Sequence, residues 1–262
     1  MLIICNGTFK SGSSWMHAIV IEILKLKTVN ISEIPALYNP NTQSPTRILE
    51  KNLNSFIKEQ NITSKTYVTK SHYFQRKTLS SLYPESVVFL FVERELKDAI
   101  VSHYFHFRNY RLKSISFSFY FWVIGIFKAY EMCLFNERSK KNFAPEYFFT
   151  FEGFKNNFTK NIQKLSQILS VDDLSLQEVE LVKEKTSLRY MKQESMFRKN
   201  KYYPELGEES HKLFRSGKIG EWKTMFSARQ LSFVNKISLG NTSFLIRVGY
   251  FILFTCRRRI GL

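Results

Sequence analysis

Cysteine is scarce in this chain, and its placement excludes two kinds of stabilised fold. The sequence has three cysteines, Cys5, Cys133 and Cys256, which lie far apart and form no C-x-x-C pair. An odd and scattered set of this kind indicates neither a disulfide framework nor a zinc site. We therefore expect the protein to fold in a reducing compartment.

Long apolar runs are also scarce, and we expect no N-terminal leader. The apolar run at 115–127 is shorter than the roughly 20 residues that a helix needs to cross a bilayer. A core helix is the favoured interpretation of this run, and an apolar acceptor pocket is the functional alternative. Met1 leads directly into an apolar strand and leaves no room for a signal segment with its cleavage site. These features predict a cytoplasmic protein.

Acidic residues are few. The sequence has 22 Asp and Glu against 39 Lys and Arg, which gives a formal net charge of +17. This excess favours an anionic ligand, a nucleic acid or an acidic membrane surface as partner, although compositional drift explains it equally well. With 262 residues and 44% apolar content, the chain is long enough for a single α/β domain with a substantial core.

The first fifteen residues carry the clearest pattern. An apolar strand at Leu2–Cys5 runs into a turn that contains Gly7 and Gly12, and a helical stretch follows. Strand, glycine turn and helix can form a phosphate cradle, because the free N–H groups of the first helical turn point at a bound anion. The glycine spacing fits a Walker A loop, but Ser13 stands where a nucleoside triphosphatase has its lysine. This pattern alone leaves an anion site and an ordinary turn equally open.

Strands and helices alternate along the rest of the chain. Apolar residues at helical spacing predict several helices, and short apolar runs predict three strands after the first. The predicted helices are 14–26, 48–57, 96–107 and 158–169, and the predicted strands are 66–69, 86–92 and 147–151. Such alternation predicts a central parallel sheet flanked by helices, with its ligand at the carboxyl edge.

The first loop is more specific than its glycines. Phe9–Trp15 reads F-K-S-G-S-S-W, which resembles the P-loop-like phosphosulfate-binding loop, P-K-S-G-T-T-W, of sulfotransferases that use 3′-phosphoadenosine 5′-phosphosulfate (PAPS). Phe9 replaces the proline, which loosens the turn without removing a donor. The resemblance implies an α/β fold, PAPS as sulfuryl donor with PAP as product, and no metal. It implies cofactor contacts from Lys10, Ser11, Gly12, Ser13, Ser14 and Trp15.

A second stretch supplies a candidate base. Lys70–His72 ends a predicted strand and resembles the family's K-T-H motif, in which the histidine is the general base. Because histidine titrates near neutral pH, His72 can take a proton from an acceptor hydroxyl or, as the weaker option, an amine. The resemblance makes Lys10 and Lys70 its catalytic partners at the bridging phosphate oxygen. A histidine that merely bonds to a backbone carbonyl is the competing interpretation.

A third stretch resembles the family's 3′-phosphate motif, R-N-P-x-D-x-x-x-S. Here it reads R-E-L-K-D-A-I-V-S, from Arg94 to Ser102. An arginine at a strand end can make two charge-assisted bonds to a phosphate, which a serine hydroxyl completes. Glu95 and Leu96 replace Asn and Pro. A carboxylate beside a phosphate weakens binding unless it points away.

Two stretches resemble the family's adenine contacts. Thr186–Lys192 resembles T-S-F-x-x-M-K, whose threonine and phenylalanine contact the base, so Thr186 carries over and Leu188 does so in part. The stretch that begins at Phe151, F-E-G, resembles Y-E-D but lacks the tyrosine hydroxyl. Stacking on the base therefore falls more heavily on Trp15.

The last match is a basic glycine loop. Residues 214–222, F-R-S-G-K-I-G-E-W, resemble the family's second 3′-phosphate loop, R-K-G-x-x-G-D-W. The resemblance assigns phosphate contacts to Arg215, Ser216 and Gly217. Ser216 replaces a lysine and keeps a donor without the charge, for which the neighbouring Lys218 can compensate.

The C-terminal region departs from the family pattern. The dimer motif K-x-x-x-T-V-x-x-x-E survives as Lys223 and three small residues, so the oligomeric state stays open. The resemblance gives a sulfotransferase domain at 1–250 and a tail at 251–262, in which an apolar patch precedes three arginines. Such a patch can touch an anionic membrane, but packing on the domain is the favoured interpretation.

The sequence thus favours a PAPS-dependent sulfotransferase that acts on a small-molecule hydroxyl, and two alternatives stay open. A nucleotide kinase needs a loop lysine at position 13 and a magnesium-holding carboxylate on a later strand, and neither is evident. The interpretation as a basic protein that binds nucleic acid or anionic glycans is supported by the net charge alone. Since the aromatics lie inside apolar runs and no RNA or DNA motif is present, we expect no nucleic-acid partner.

Overall fold

The structure, a computed structural model, describes residues 1–39, 47–110, 114–197 and 215–260. The strands are β1 (Leu2–Gly7), β2 (Tyr67–Ser71), β3 (Val87–Glu93) and β4 (Phe148–Thr150). The helices are α1 (Ser13–Leu26), α2 (Leu53–Glu59), α3 (Arg76–Ser80), α4 (Leu96–Tyr110), α5 (Phe117–Tyr120), α6 (Ile126–Asn142), α7 (Phe151–Asn156), α8 (Phe158–Ile168), α9 (Leu176–Lys185), α10 (Leu188–Phe197), α11 (Ala228–Ser238) and α12 (Phe244–Ile260). The chain divides into two compact units: unit 1 is Met1–Glu93 with Asn142–Gly217, and unit 2 is Arg94–Lys141 with Lys218–Leu262.

Unit 1 contains a four-stranded sheet in the order β2-β1-β3-β4, and each neighbouring pair is parallel. In its register, Cys5 lies opposite Lys70 on one side and Leu90 on the other. The strands therefore end at one edge, where the loop after β1 and the residues after β2 emerge. The predicted α/β class with a parallel sheet is confirmed.

The core of unit 1 explains why β1 begins with an apolar run, Leu2–Cys5. A central parallel strand is covered on both faces, so every position favours an apolar residue, and all six residues of β1 are buried. Helix α1 covers the sheet with one apolar face, whose buried members are Met16, Ile19, Val20, Ile23 and Leu24. This packing fixes the start of α1 beside the end of β1.

Strand β4 is shorter than predicted. We expected it to continue through Phe151, but it ends at Thr150, and Phe151 begins α7. The Thr150 hydroxyl accepts a hydrogen bond of 2.9 Å from the Gly153 N–H and so caps the helix. A threonine cap satisfies one of the N–H groups that a helix leaves unpaired at its start, which favours helix over strand here.

Unit 2 contains the apolar run that we judged too short to cross a membrane. Helical residues continue from Phe117 to Asn142, 26 residues with a mean hydropathy of 1.2 in the most apolar window. The length argument was therefore wrong. In that window 44% of the residues are buried, and Tyr120 and Phe121 are fully buried. These two rings pack with Ile100 and Phe226 in the core of unit 2, which supports the core-helix interpretation.

Helix α12 runs across the predicted boundary between the domain, which was to end at 250, and the tail, which was to begin at 251. We expected the apolar part of the tail to pack on the domain. Phe251, Ile252 and Leu253 are instead 70%, 54% and 47% exposed, so this prediction is wrong for these three residues. Residues 261 and 262, and the side chains after Leu253, lie outside the described part of the structure.

Candidate active site

The loop after β1 is a tight turn. Both the backbone N–H and the hydroxyl of Ser11 donate to the Thr8 carbonyl, at 3.2 and 2.8 Å. A Cβ on Gly7 would lie 2.5 Å from the Ser11 Oγ and 2.8 Å from the Val92 carbonyl oxygen. Because neither gap admits a carbon atom, Gly7 is required for the turn to close.

The start of α1 fits an anion. Gly12 is its N-cap, no side chain of the described residues caps it, and its first turn contains no acidic residue. The positive end of the helix dipole and the first N–H groups therefore favour a negatively charged ligand. Ser14 is exposed there, and its Oγ accepts a 2.9 Å hydrogen bond from the Lys70 Nζ. The start of α1 is thus suited to an anion, and its role as a phosphosulfate site stays a prediction.

His72 directly follows β2 and is held by two contacts. Its Nδ1 lies 2.6 Å from the Gly7 carbonyl oxygen. A carbonyl oxygen only accepts, so Nδ1 carries the hydrogen and the lone pair is on Nε2. The Phe9 ring stacks on the imidazole with a centroid separation of 4.8 Å. The competing interpretation requires the same carbonyl bond, but that bond also leaves the tautomer that a general base needs.

Asn6 holds the backbone around His72. Its Oδ1 accepts from the Tyr73 N–H at 2.8 Å and from the Ser71 hydroxyl at 3.1 Å, and its Nδ2 donates to the Tyr73 carbonyl at 3.2 Å. Asn6 is fully buried. Sequence analysis missed this positioning residue, although a polar residue at the end of an otherwise apolar strand was a usable signal.

Two histidines near Lys70 are neutral at physiological pH. Burial, with repulsion from Lys70, Arg47 and Lys10, lowers the pKa of His72 to about 3 despite the opposing effect of the Gly7 carbonyl. Burial and the charge of Lys70 lower the pKa of His17 in α1 to about 4. Both imidazoles are therefore unprotonated near pH 7, and the lowered pKa makes each a weaker base than a free histidine.

Acid should destabilise the protein through these two histidines. Their unfolded pKa is 6.5, and the folded values are about 3 and 4. Below pH 6.5 the unfolded chain binds protons that the folded protein does not bind. The free energy of unfolding should therefore fall as the pH drops towards the folded values, by up to about 1.4 kcal/mol per pH unit for each histidine. Urea unfolding between about pH 7.5 and 5 measures this slope.

The variants His17→Gln and His72→Asn are the controls for this slope. Each should remove about half of it, because each deletes one titrating group. Above pH 6.5 all three proteins should show the same dependence on pH. An unchanged slope in both variants would show that other groups cause the acid sensitivity.

Several residues predicted to contact the cofactor lie close together within unit 1. The Trp15 ring meets Phe151 edge-on at 5.2 Å, and the Lys155 Nζ lies 5.4 Å from the Trp15 ring centre. A Cβ on Gly217 would lie 3.7 Å from the Lys155 Nζ and 3.9 Å from Leu188. The region around Lys155, which sequence analysis did not single out, thus brings together four residues of the predicted site: Trp15, Phe151, Leu188 and Gly217.

Thr186 and Arg215 are held by neighbouring helices. Thr186 is 1% exposed, and its hydroxyl donates to the Val182 carbonyl at 2.8 Å, so the hydroxyl can offer a ligand only its lone pairs. The Lys192 Nζ donates to the Arg215 carbonyl at 3.1 Å. Arg215 and Ser216 are half-buried, and Phe214 lies outside the described residues.

In unit 2, Arg94 and Asp98 hold the second glycine loop. The Arg94 Nη2 donates to the Lys218 carbonyl at 2.8 Å. The buried carboxylate of Asp98 accepts from the Gly220 N–H at 2.6 Å and the Trp222 N–H at 3.2 Å. Sequence analysis quoted this aspartate inside the arginine motif without a role, and the structure makes it the anchor of the turn.

The remaining residues of the arginine motif lie at or in α4. Ser102 lies within that helix. The Glu95 carboxylate lies 2.7 Å from the Lys97 Nζ. This ion pair offsets the negative charge that the sequence places beside Arg94.

Comparison with known proteins identifies the family. The family model described as Sulfotransferase domain matches residues 2–242. The chain belongs to the sulfotransferase family. Flavonol 3-sulfotransferase of Flaveria bidentis is a relative at 24% identity, and the match covers 91% of this chain and 81% of that protein. The prediction of a sulfotransferase is confirmed, and the comparisons support neither alternative.

Solved sulfotransferase structures share the fold. Mouse sulfotransferase SULT7A1 complexed with PAP has a TM-score of 0.65 at 18% identity, covering 97% of this chain and 88% of that one. Retinol dehydratase in a complex with retinol and PAP has a TM-score of 0.60 at 17% identity, covering 92% and 80%. The domain boundary at 250, the cytoplasmic localisation, the lack of a metal and the residue roles stay predictions.

Proposed function

We propose that this sulfotransferase transfers a sulfuryl group from PAPS to the hydroxyl of a small-molecule acceptor. One observation carries the proposal: His72 donates from Nδ1 to the Gly7 carbonyl at 2.6 Å and so leaves Nε2 unprotonated where β2 ends, beside the loop that begins α1. The family membership supports the reaction. Solved structures of retinol dehydratase support the ligand classes, since they hold PAP together with androsterone or with retinol.

The residues of unit 1 fit the donor. The uncapped start of α1, with Lys10 in its loop and Ser14 exposed beside it, suits the doubly charged phosphosulfate. Trp15 and Phe151 offer aromatic surface for the adenine. In the sequence motifs of the family, Arg94 with Ser102 and Arg215 with its neighbours Ser216 and Gly217 have the 3′-phosphate role.

The chemistry divides among three side chains. PAPS supplies the sulfuryl group and the phosphate leaving group. His72 Nε2 takes the proton of the acceptor hydroxyl as that oxygen bonds to sulfur, and the electron pair of the broken bond between sulfur and the 5′-phosphate oxygen stays on PAP. The Lys10 ammonium stabilises the charge that grows on this oxygen. Lys70, bonded to Ser14 at 2.9 Å, adds a second positive charge at the loop.

PAP should stabilise the protein against heat far more than ATP with magnesium does. Only a ligand with a 3′-phosphate engages Arg94 and Arg215 in the proposed way. At about 100 times its dissociation constant, PAP adds about 2.7 kcal/mol to the free energy of unfolding, which is readily visible as a higher melting temperature. Thermal shift measurements with PAP, ATP and adenosine 5′-phosphate test this.

Adenosine 5′-phosphate is the matched control, because it differs from PAP by the 3′-phosphate alone. It should produce a much smaller shift at equal concentration. Equal shifts with ATP would favour a nucleotide kinase instead. Product formation from PAPS with a panel of hydroxylated acceptors then identifies the acceptor class.

A further inference from the structure

Helix α12 has apolar residues on two sides, and only one side is covered. Ile246 is 9% exposed, and the rings of Tyr130 and Tyr250 meet edge-on at 5.3 Å. An added Cβ on Gly249 would lie 2.7 Å from the Phe127 ring. These contacts fix the inner side of the helix against the rest of unit 2.

The other side is a continuous apolar row, which we call the outer face. It consists of Phe244, Leu245, Val248, Phe251 and Ile252, whose exposed fractions are 77%, 79%, 37%, 70% and 54%. At about 100° per residue, the five positions cover an arc of about 120°. Single exposed apolar residues are ordinary on a protein surface, but a contiguous row of this size marks a contact site.

The charge around the outer face indicates an anionic partner. From Met225 to Leu262 the sequence has no Asp or Glu. Its basic residues in that stretch are Arg229, Lys236, Arg247, Arg257, Arg258 and Arg259. Arg247 is exposed and lies next to the outer face in helical projection. An apolar face with flanking arginines and no carboxylates is typical of helices that lie in the headgroup layer of a membrane.

We infer that the outer face of α12 binds an anionic membrane surface, with the helix in the plane of the bilayer and Arg247 at the headgroups. Helix α12 has 17 residues, four of them arginines, and is too short and too charged to cross the bilayer. A second copy is a poorer occupant, because pairing two such helices brings their arginines together and neither helix contains an acidic residue to neutralise them. This inference goes beyond the proposed catalysis and does not depend on it.

Vesicle flotation with the full chain tests the inference. We expect the protein to float with phosphatidylcholine vesicles that contain about 30% phosphatidylserine, and at least about tenfold less with phosphatidylcholine alone or at high salt. The double variant L245S/F251S should lose at least about tenfold in binding, because both exposed side chains give up their apolar contact. Its urea midpoint should equal that of the wild type, since neither residue is buried.

The matched control is L82S. Leu82 lies in unit 1 and is fully exposed, so L82S removes an exposed apolar side chain from a different unit than the one that contains α12. Equal loss of vesicle binding in L82S and L245S/F251S would overturn the inference. So would an absence of vesicle binding, equal binding to neutral vesicles, or a dimer in light scattering that L245S/F251S dissociates.

Discussion

Replacing His72 with alanine should abolish most sulfuryl transfer while PAP still binds. The imidazole Nε2 acts on the acceptor proton and need not touch the nucleotide. The substitution should therefore lower the turnover rate and leave PAP affinity unchanged. Removal of a general base typically costs about a hundred- to ten-thousand-fold in rate. Steady-state turnover with PAPS, together with PAP affinity by calorimetry, measures both quantities on the same preparation.

The variant His72→Asn separates the base from a purely structural role. Its side-chain amide can donate to the Gly7 carbonyl as Nδ1 does, at 2.6 Å in the wild type, but it cannot accept a proton at neutral pH. We expect His72→Asn to be as inactive as His72→Ala. Recovery of turnover in His72→Asn, or equal loss of PAP binding in both variants, would show that His72 only holds the loop.

Replacing Lys10 with alanine should reduce both turnover and PAP affinity. Its ammonium would contact the phosphate in the ground state and the charge that develops on the leaving oxygen. We expect turnover to fall about a hundredfold or more and PAP affinity to fall roughly tenfold or more. Lys10 has a φ of 65°, and alanine has the same Cβ, so backbone strain in the loop is unchanged by the substitution.

The control for Lys10→Ala is Lys58→Ala, which removes one positive charge from an exposed site on α2. It should leave turnover and PAP affinity within about twofold of the wild type, because distant exposed charges are screened by salt. If Lys58→Ala lowers PAP affinity as much as Lys10→Ala, then the net charge of the protein rather than the loop attracts the nucleotide. A fall in affinity with full turnover would remove the catalytic role of Lys10.

Several parts of the fold and site could be predicted from the sequence. Strands β1 and β3 are short apolar runs because both of their faces are buried, and α1 shows the helical spacing of its one buried face. The loop between β1 and α1 consists of consecutive residues, so the order of its glycines and hydroxyl side chains can be recognised in the sequence. The order of the motifs along the chain was enough to name the family.

Local sequence was misleading where a single side chain or a distant surface decides the structure. Phe151 continues an apolar run, yet the Thr150 hydroxyl ends the strand one residue earlier. The apolar run at 115–127 is too short to span a membrane by itself. The helix nevertheless continues through the more polar residues that follow, so that it extends from Phe117 to Asn142. The apolar residues of α12 were expected to pack in the core. The helix has apolar residues on two sides, however, and the sequence does not show which side packs against the rest of the protein.

The sequence by itself determined the family and the residues proposed for the chemistry, because each motif is a short run of neighbouring residues. Only the tertiary structure decided the protonation state and the hydrogen bonds of these residues. The tautomer of His72 depends on the Gly7 carbonyl, 65 residues away, and the glycine loop depends on Asp98, 122 residues before Gly220. Such contacts arise when strands and helices pack, because burial obliges each polar group to find a partner wherever the fold brings one.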